Sequence, residues 1–167
     1  MPETVTMTAL RKLGSGSNVN LERAMPANGR FDGHMVAGHV DGIGIVSNIK
    51  KDDNSIVFTL QAPAEVMQFI VYKGSVALNG ISLTVSEETA TSFNVSIIPH
   101  SLQETTLQYL KIGSEVNIET DIAGRYIHKF MLAGIGSDIK KNNSRAQDKT
   151  ENNSGLTKEF LVSRGFL

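Results

Sequence analysis

From residue 40 to residue 121 apolar and polar positions alternate in short runs, and turn-forming residues separate the runs. Residues 40–50 contain Ile43, Ile45, Val46 and Ile49, and Asp52-Asp53-Asn54 then supplies a turn. Through Ser55–Gln61, Ile56, Phe58 and Leu60 alternate with Val57 and Thr59. The period changes in residues 62–70, where Val66, Met67, Phe69 and Ile70 follow Pro63 at helical spacing; a proline suits the first turn of a helix. Ser75–Leu78 and residues 81–86 flank Asn79-Gly80, a dipeptide that takes up the positive φ angles of a tight hairpin turn. Phe93, Val95 and Ile97 alternate in the next run, which Pro99 ends. A helical turn near residues 101–107 leads into a last strand, Glu115–Thr120. Six short strands and two short helices at this spacing predict an all-β fold, a small closed antiparallel barrel rather than a βαβ unit.

Beyond Asp121, the residues Ile122, Tyr126, Ile127, Phe130 and Met131 form one apolar stripe at helical spacing, and Gly134 and Gly136 are expected to end that helix. A stripe of this kind outside the barrel points to an assembly contact. Residues 137–154, rich in Asn, Lys and Ser, are expected to be a disordered linker. Leu156, Phe160 and Leu161 before Gly165 then suggest a short docking helix.

The chain also repeats itself. Residues 1–25 lie over residues 98–122 without a gap, at an offset of 98 − 1 = 97. Pro2 matches Pro99, Thr8 matches Thr105, Leu10 matches Leu107 and Leu13 matches Leu110. Gly16-Ser17, Val19-Asn20 and Glu22 match Gly113-Ser114, Val116-Asn117 and Glu119. Unrelated segments of ordinary composition share roughly one or two identities over such a length, so this is a duplicated domain. The second copy has a long run-up before the shared segment and the first has none. The expectation is one complete domain preceded by the tail of another, with Val19, Leu21 and Met25 alternating as a strand of that tail.

Composition narrows the function classes. Sixteen Lys and Arg against seventeen Asp and Glu leave a net charge of −1 with no block of either sign, which argues against a nucleic-acid binder. No apolar run is long enough to span a bilayer and no signal peptide is recognisable, so a cytoplasmic protein is expected and no membrane partner. Cysteine is absent, which removes disulfides, thiolate nucleophiles and cysteine-based zinc sites. The Asn94-Val95-Ser96 sequon carries no weight without a secretory signal.

Three local patterns carry candidate chemistry. Gly33-His34 and Gly38-His39 set two histidines five apart in a glycine-rich segment. A metal site would need further ligands, for which only Asp32 and Asp41 are available, and HExxH-type spacing is missing, so the metal reading is the weaker one and either histidine alone would by default bond to backbone. Ser82 and Thr84, two apart on a strand, turn both hydroxyls to one side while Ile81, Leu83 and Val85 face the other. That is ordinary surface alternation unless a pocket covers the hydroxyl face. With such a pocket, Ser, Thr and the backbone of the 98–101 turn could read an amide-rich, neutral heterocycle. Lys73 could then meet partial negative charge, and Asp121 is placed to cap the following helix. No phosphate loop, Ser-His-Asp arrangement or nucleotide fingerprint is present.

At these residues the chain resembles riboflavin synthase of the alpha-chain type, from residue 1 to about residue 130. The segments MPET, VNLERAMPANGRFDGHMVAGHVDG, YKGSVALNGISLTV, IIPHSL and VNIETD carry the likeness. The resemblance implies two similar six-stranded antiparallel Greek-key barrels and a homotrimer assembled through C-terminal helices. It implies a dismutation in which one 6,7-dimethyl-8-ribityllumazine gives a four-carbon unit to another, yielding riboflavin and a pyrimidinedione, without cofactor or metal. Lumazine synthase is a further candidate partner.

Carried over residue by residue, Gly38, His39, Val40, Lys73, Ser82, Leu83, Thr84, Ile98, Pro99, His100, Ser101, Leu102 and Gln103 match the family's substrate pocket in the second barrel. Pro2, Glu3 and Thr4 match the equivalent turn of the first barrel, and His39, Ser82 and Asp121 match positions assigned to proton transfer. Asn79 stands where some members have Asp, and Ser101 where many have Thr. The family's opening Met-Phe-Thr-Gly-Ile and the first barrel's own Asn-Gly loop have no counterpart in this sequence. The expected organisation is therefore an N-terminally truncated member: a remnant of the first barrel in residues 1–35, a complete barrel in 36–121, a helix in 122–136 and a polar tail in 137–167. Two functions compete, an enzyme of riboflavin biosynthesis and a non-catalytic lumazine- or flavin-binding barrel.

Overall fold

The computed structural model of the chain describes residues 2–26, 28–29 and 33–143. Six strands follow one another: β1 Gly42–Asp52, β2 Ser55–Gln61, β3 Ser75–Leu78, β4 Ile81–Glu88, β5 Ser92–Ile97 and β6 Glu115–Thr120. They close into an antiparallel barrel in the order β1-β2-β5-β4-β3-β6, with β6 returning to pair with β1. The placement of β5 beside β2, across the β3–β4 hairpin, is a Greek-key path.

Local chemistry accounts for the turns. Asn79 and Gly80 have φ of 49° and 84°, the pair of left-handed residues a two-residue hairpin requires, and they set the register Leu78↔Ile81 through Ser75↔Thr84. Asp53, at φ 44°, makes the β1–β2 turn, and Ser55 Oγ closes it on the Asp52 carbonyl at 3.1 Å. Because successive side chains point to opposite faces, one set fills the barrel. Val46, Phe58, Leu60, Val76, Leu78, Val85, Phe93, Val95, Ile97, Val116 and Ile118 are buried together, and Val66, Met67, Ile70 and Leu107 join the same core.

Among the described residues, four α-helices accompany the strands: α1 Pro2–Met7, α2 Ala64–Met67, α3 Pro99–Gln103 and α4 Ile122–Asn143. The expected turn near residues 101–107 divides into α3, which starts on Pro99, and a 3-10 turn at Thr106–Tyr109. The internal repeat is a repeat of structure as well. A 3-10 turn at Ala9–Lys12 follows α1 as Thr106–Tyr109 follows α3. Thr8 Oγ1 donates to the Thr4 carbonyl at 2.6 Å, and its counterpart Thr105 donates to Ser101 at 2.6 Å. Gly16 and Gly113 share a left-handed φ of 86° and 88°.

Two expectations are corrected. Val19, Leu21 and Met25 do not lie in a strand; residues 17–26 have no regular structure, and Leu21 is 90% exposed. The equivalent β6 exists because β1 and β3 pair with it on either side, and no described strand is offered to residues 18–23. The C-terminal helix does not stop at Gly136 but continues through Asn143, into the segment expected to be a linker. A glycine costs a helix interior about 1 kcal/mol relative to alanine but keeps its N–H, so the hydrogen-bond ladder runs on. The rest of the expected linker and the short helix at residues 156–161 lie outside the described residues. The barrel's compact unit ends at His128, and the chain from Lys129 belongs to a second unit. Among the described residues, no helix is long and apolar enough to cross a membrane.

Candidate functional site

The outer wall of β3, β4 and β5 carries a row of hydroxyls. Phe93, Val95 and Ile97 are buried in the core, so Ser96 projects outward; Val85 does the same for Thr84, which lies opposite Ser75 in the β3–β4 register. Ser82 is two residues before Thr84 on the same face. Where β5 ends, Ile98, just before α3, and Ser101 of α3 turn across the end of this wall. Together these residues line a cavity of about 370 Å³. That volume lies at the lower end of the range for small-molecule pockets, enough for one compact ring system.

Gly33 and His34, at the start of a strap from residue 33 to residue 38, form the remaining side. Gly33 lies so close to Ser82 that a Cβ on it would come within 2.5 Å of Ser82 Oγ, so the approach depends on glycine. The His34 N–H donates to Ser82 Oγ at 3.3 Å, and His34 Nδ1 lies 2.8 Å from the same oxygen. The far end of the strap is held by Glu119, a buried carboxylate on β6. Its Oε1 accepts from the Ala37 N–H at 2.7 Å and its Oε2 from the Gly38 N–H at 3.0 Å. With two neighbouring backbone N–H groups held by one side chain, Glu119 anchors this end of the strap.

Of the residues named from the sequence, Ser82, Leu83, Thr84, Ile98 and Ser101 meet at the cavity. Gly38, His39, Val40, Lys73, Pro99, His100, Leu102 and Gln103 lie outside its lining. His39 is exposed, and Gly38 is the strap residue bound by Glu119. Lys73, at φ 62°, donates its N–H to the Val85 carbonyl at 2.9 Å and sets its ammonium 5.4 Å from the Tyr72 ring centre. Pro99 opens α3, and Leu102 packs against the core. Pro2, Glu3 and Thr4 belong to α1, where the Thr4 carbonyl accepts from Thr8. Asp121 Oδ1 accepts the Ala123 N–H at 2.9 Å, as the cap of α4.

The sequence reading missed Gly33, Ser75, Ser96 and Ile97 as site residues, and it gave His34 only a generic backbone-bonding role. Ser96 was within reach of the argument that found Ser82, since it alternates with Val95 and Ile97 in the same way. The strap was not, because its path depends on Glu119, which lies 119 − 37 = 82 residues away in the chain. Among the described residues, no Lys, Arg, Asp or Glu lines the cavity. Hydroxyls and one imidazole on an apolar base suit a neutral, planar ligand rich in hydrogen-bonding groups, with the half-exposed Ile98 at the margin for a ring face.

Residues 37–121 match the family model of the lumazine binding domain. The chain is 49% identical over 166 residues to the riboflavin synthase of Actinobacillus pleuropneumoniae, a match covering 99% of this chain and 71% of that protein. It is 41% identical over 166 residues to the riboflavin synthase of Bacillus subtilis strain 168, again over 71% of its length. Among solved structures, the crystal structure of LumP complexed with riboflavin superposes with a TM-score of 0.64 at 26% identity, covering 71% of this chain and 64% of that one.

Proposed function

Because this chain belongs to the riboflavin synthase family, we propose that its barrel holds one molecule of 6,7-dimethyl-8-ribityllumazine, or of riboflavin, in the hydroxyl-lined cavity and that it serves riboflavin formation. The observation that carries this reading is the hydroxyl lining of Ser75, Ser82, Thr84, Ser96 and Ser101, with no charged side chain among the described lining residues and built almost wholly from the segment that matches a lumazine binding domain. Hydroxyls pair with the carbonyl and ring-nitrogen edge of such a neutral heterocycle. LumP, which has this fold, was crystallised with riboflavin.

Turnover requires two lumazines held face to face, one giving the four-carbon unit and one receiving it, with the acidic methyl group of one facing a base. Orientation of this kind supplies a large part of the rate. The described residues form one closed barrel, so in this reading the second lumazine comes from a second barrel, brought by another copy of the chain in a homo-oligomer. Ser82 would bind the ring and, with His39 and Asp121, would be one of the proton-transfer groups carried over from the family.

A second reading, a barrel that binds without turnover, has its own support. His39 and Lys73 lie outside the cavity lining, and Asp121 Oδ1 is occupied in capping α4. Two measurements separate the readings. Quenching of riboflavin fluorescence on titration with the chain tests the pocket; no saturation up to about 1 mM removes it. Riboflavin formation from purified ribityllumazine tests the enzyme. If two copies share a reaction, activity per mole of chain rises with chain concentration, whereas a binding barrel shows saturation and no product.

A further inference from the structure

Among the described residues, His34 is bonded on one side only. Its Nδ1 and its backbone N–H both meet Ser82 Oγ, at 2.8 and 3.3 Å, whereas Nε2 is buried and has no hydrogen-bond partner among the described residues. A neutral imidazole carries its proton on one nitrogen, and the hydrogen bonds around the ring decide which. With the proton on Nε2, a buried N–H would stand unpaired. With the proton on Nδ1, the orphan is a lone pair, the less costly of the two. The bonding pattern therefore assigns the proton to Nδ1, which donates to Ser82.

A serine hydroxyl accepts two hydrogen bonds and donates one. His34 supplies two donors to Ser82, one from the ring and one from the backbone. Both acceptor positions of Ser82 are thereby filled from the strap, and its O–H is left to point elsewhere. The open side of Ser82 is the cavity.

We propose that His34 is a positioning residue that makes Ser82 a dedicated hydrogen-bond donor to the ligand. The site then selects a ring that presents an acceptor, a carbonyl oxygen or an unprotonated ring nitrogen, at this edge. Gly33 lets the strap approach closely enough for the two bonds, and Glu119 fixes the strap's other end. This inference rests on the reading of the cavity as the flavin or lumazine pocket, but its first step concerns the protein alone.

The test has a ligand-free arm and a binding arm. Nitrogen-15 chemical shifts of the imidazole report the His34 tautomer in the free protein; the Nδ1–H form is expected, and the Nε2–H form overturns the proposal. In the binding arm the probe is riboflavin, and circular dichroism confirms that each variant is folded. His34→Asn keeps an N–H donor close to the Nδ1 position, and His34→Asp, of nearly the same shape, presents only acceptors and draws the Ser82 proton to the strap. The Asn variant is expected to bind within about threefold of the parent chain, and the Asp variant about tenfold more weakly, near Ser82→Ala. In a Ser82→Ala background the Asn and Asp forms should bind alike. A difference that persists there assigns the effect to charge and overturns the proposal, as does equal binding of the two with Ser82 present. Failure of the parent chain to bind riboflavin would bring down the pocket reading together with the ligand role of His34. Binding by the parent with indistinguishable variants brings down the His34 role alone.

Discussion

Asn20 and Asn117 stand at the same position of the internal repeat, 97 residues apart, and each caps the 3-10 turn of the other copy. Asn20 Oδ1 accepts the Thr106 N–H at 2.8 Å, and Asn117 Oδ1 accepts the Ala9 N–H at 2.7 Å. Thr106 and Ala9 are themselves repeat partners, each the first residue of its 3-10 turn. Asn79, at the tip of the β3–β4 hairpin, ties both: its carbonyl accepts from Asn20 Nδ2 at 3.0 Å, and its Oδ1 from the Asn117 N–H at 2.9 Å. The first repeat copy thus docks on the barrel through exchanged side-chain caps, without contributing a strand.

Asn20→Ala should release this docking. Asn20 makes three hydrogen bonds, two to Thr106 and one to Asn79. At about 0.5–1.5 kcal/mol net for each, imperfectly additive, the loss should be roughly 1–3 kcal/mol in urea denaturation, with faster hydrogen exchange at the Thr106 amide. An unchanged Thr106 exchange rate would mean that the cap is not formed in solution.

The exchange is imperfect at one point, and that point can be repaired. Asn20 Nδ2 also donates to Thr106 Oγ1 at 2.9 Å, but the corresponding residue facing Asn117 is Ala9, which has no hydroxyl. Ala9→Thr restores the missing acceptor and should stabilise the chain by about 0.5–1.5 kcal/mol, read as a higher melting temperature. The gain should disappear when Asn117 is also replaced by alanine.

Glu115 makes one stretch of this docking pH-dependent. It lies 2.7 Å from Lys12 Nζ and 2.9 Å from Arg11 Nη2, so β6 and the first 3-10 turn are joined by charge. Its pKa is lowered below 4.5, chiefly by the hydrogen bond from Lys12, with the Arg11 and Lys12 charges adding to it against partial desolvation. A lowered folded-state pKa gives stability that is present above the unfolded-state value and lost as pH falls through the folded one. The parent chain should therefore be more stable than Glu115→Gln at neutral pH. The difference should shrink as pH drops below 4.5 and should weaken in high salt. A difference independent of both would assign Glu115 a packing role instead.

Gly33→Ala separates strap geometry from barrel stability. The added Cβ would meet Ser82 Oγ at 2.5 Å and Ser82 Cβ at 2.7 Å, which forces the strap outward and breaks the His34 bonds to Ser82. Riboflavin binding should weaken by roughly two- to tenfold, the worth of one hydrogen bond to the ligand, while thermal melting of the barrel stays close to the parent's. A large fall in melting temperature would show that the strap is part of the folding core.

The barrel was legible in the chain because its elements are local. Asn79-Gly80 specifies its turn through the φ angles those two residues tolerate, and the alternation through Phe58, Leu60, Phe93 and Val95 assigns one face to the core whatever the partner strand. The same period of two placed Ser82 and Thr84 on one face and could have placed Ser96 there. Tertiary structure alone decided the rest. Residues 18–23 repeat the sequence of β6 but have no strands beside them among the described residues, and a strand is a property of the pair rather than of the residues. The glycine-rich strap has no periodicity from which its course could be read. Which histidine reaches the hydroxyl wall was settled by distant contacts, Glu119 holding Ala37 and Gly38 and Ser82 receiving His34. Short-range φ preferences and side-chain alternation are written in adjacent residues, whereas the site's closing contacts join positions dozens of residues apart, which only the folded barrel brings together.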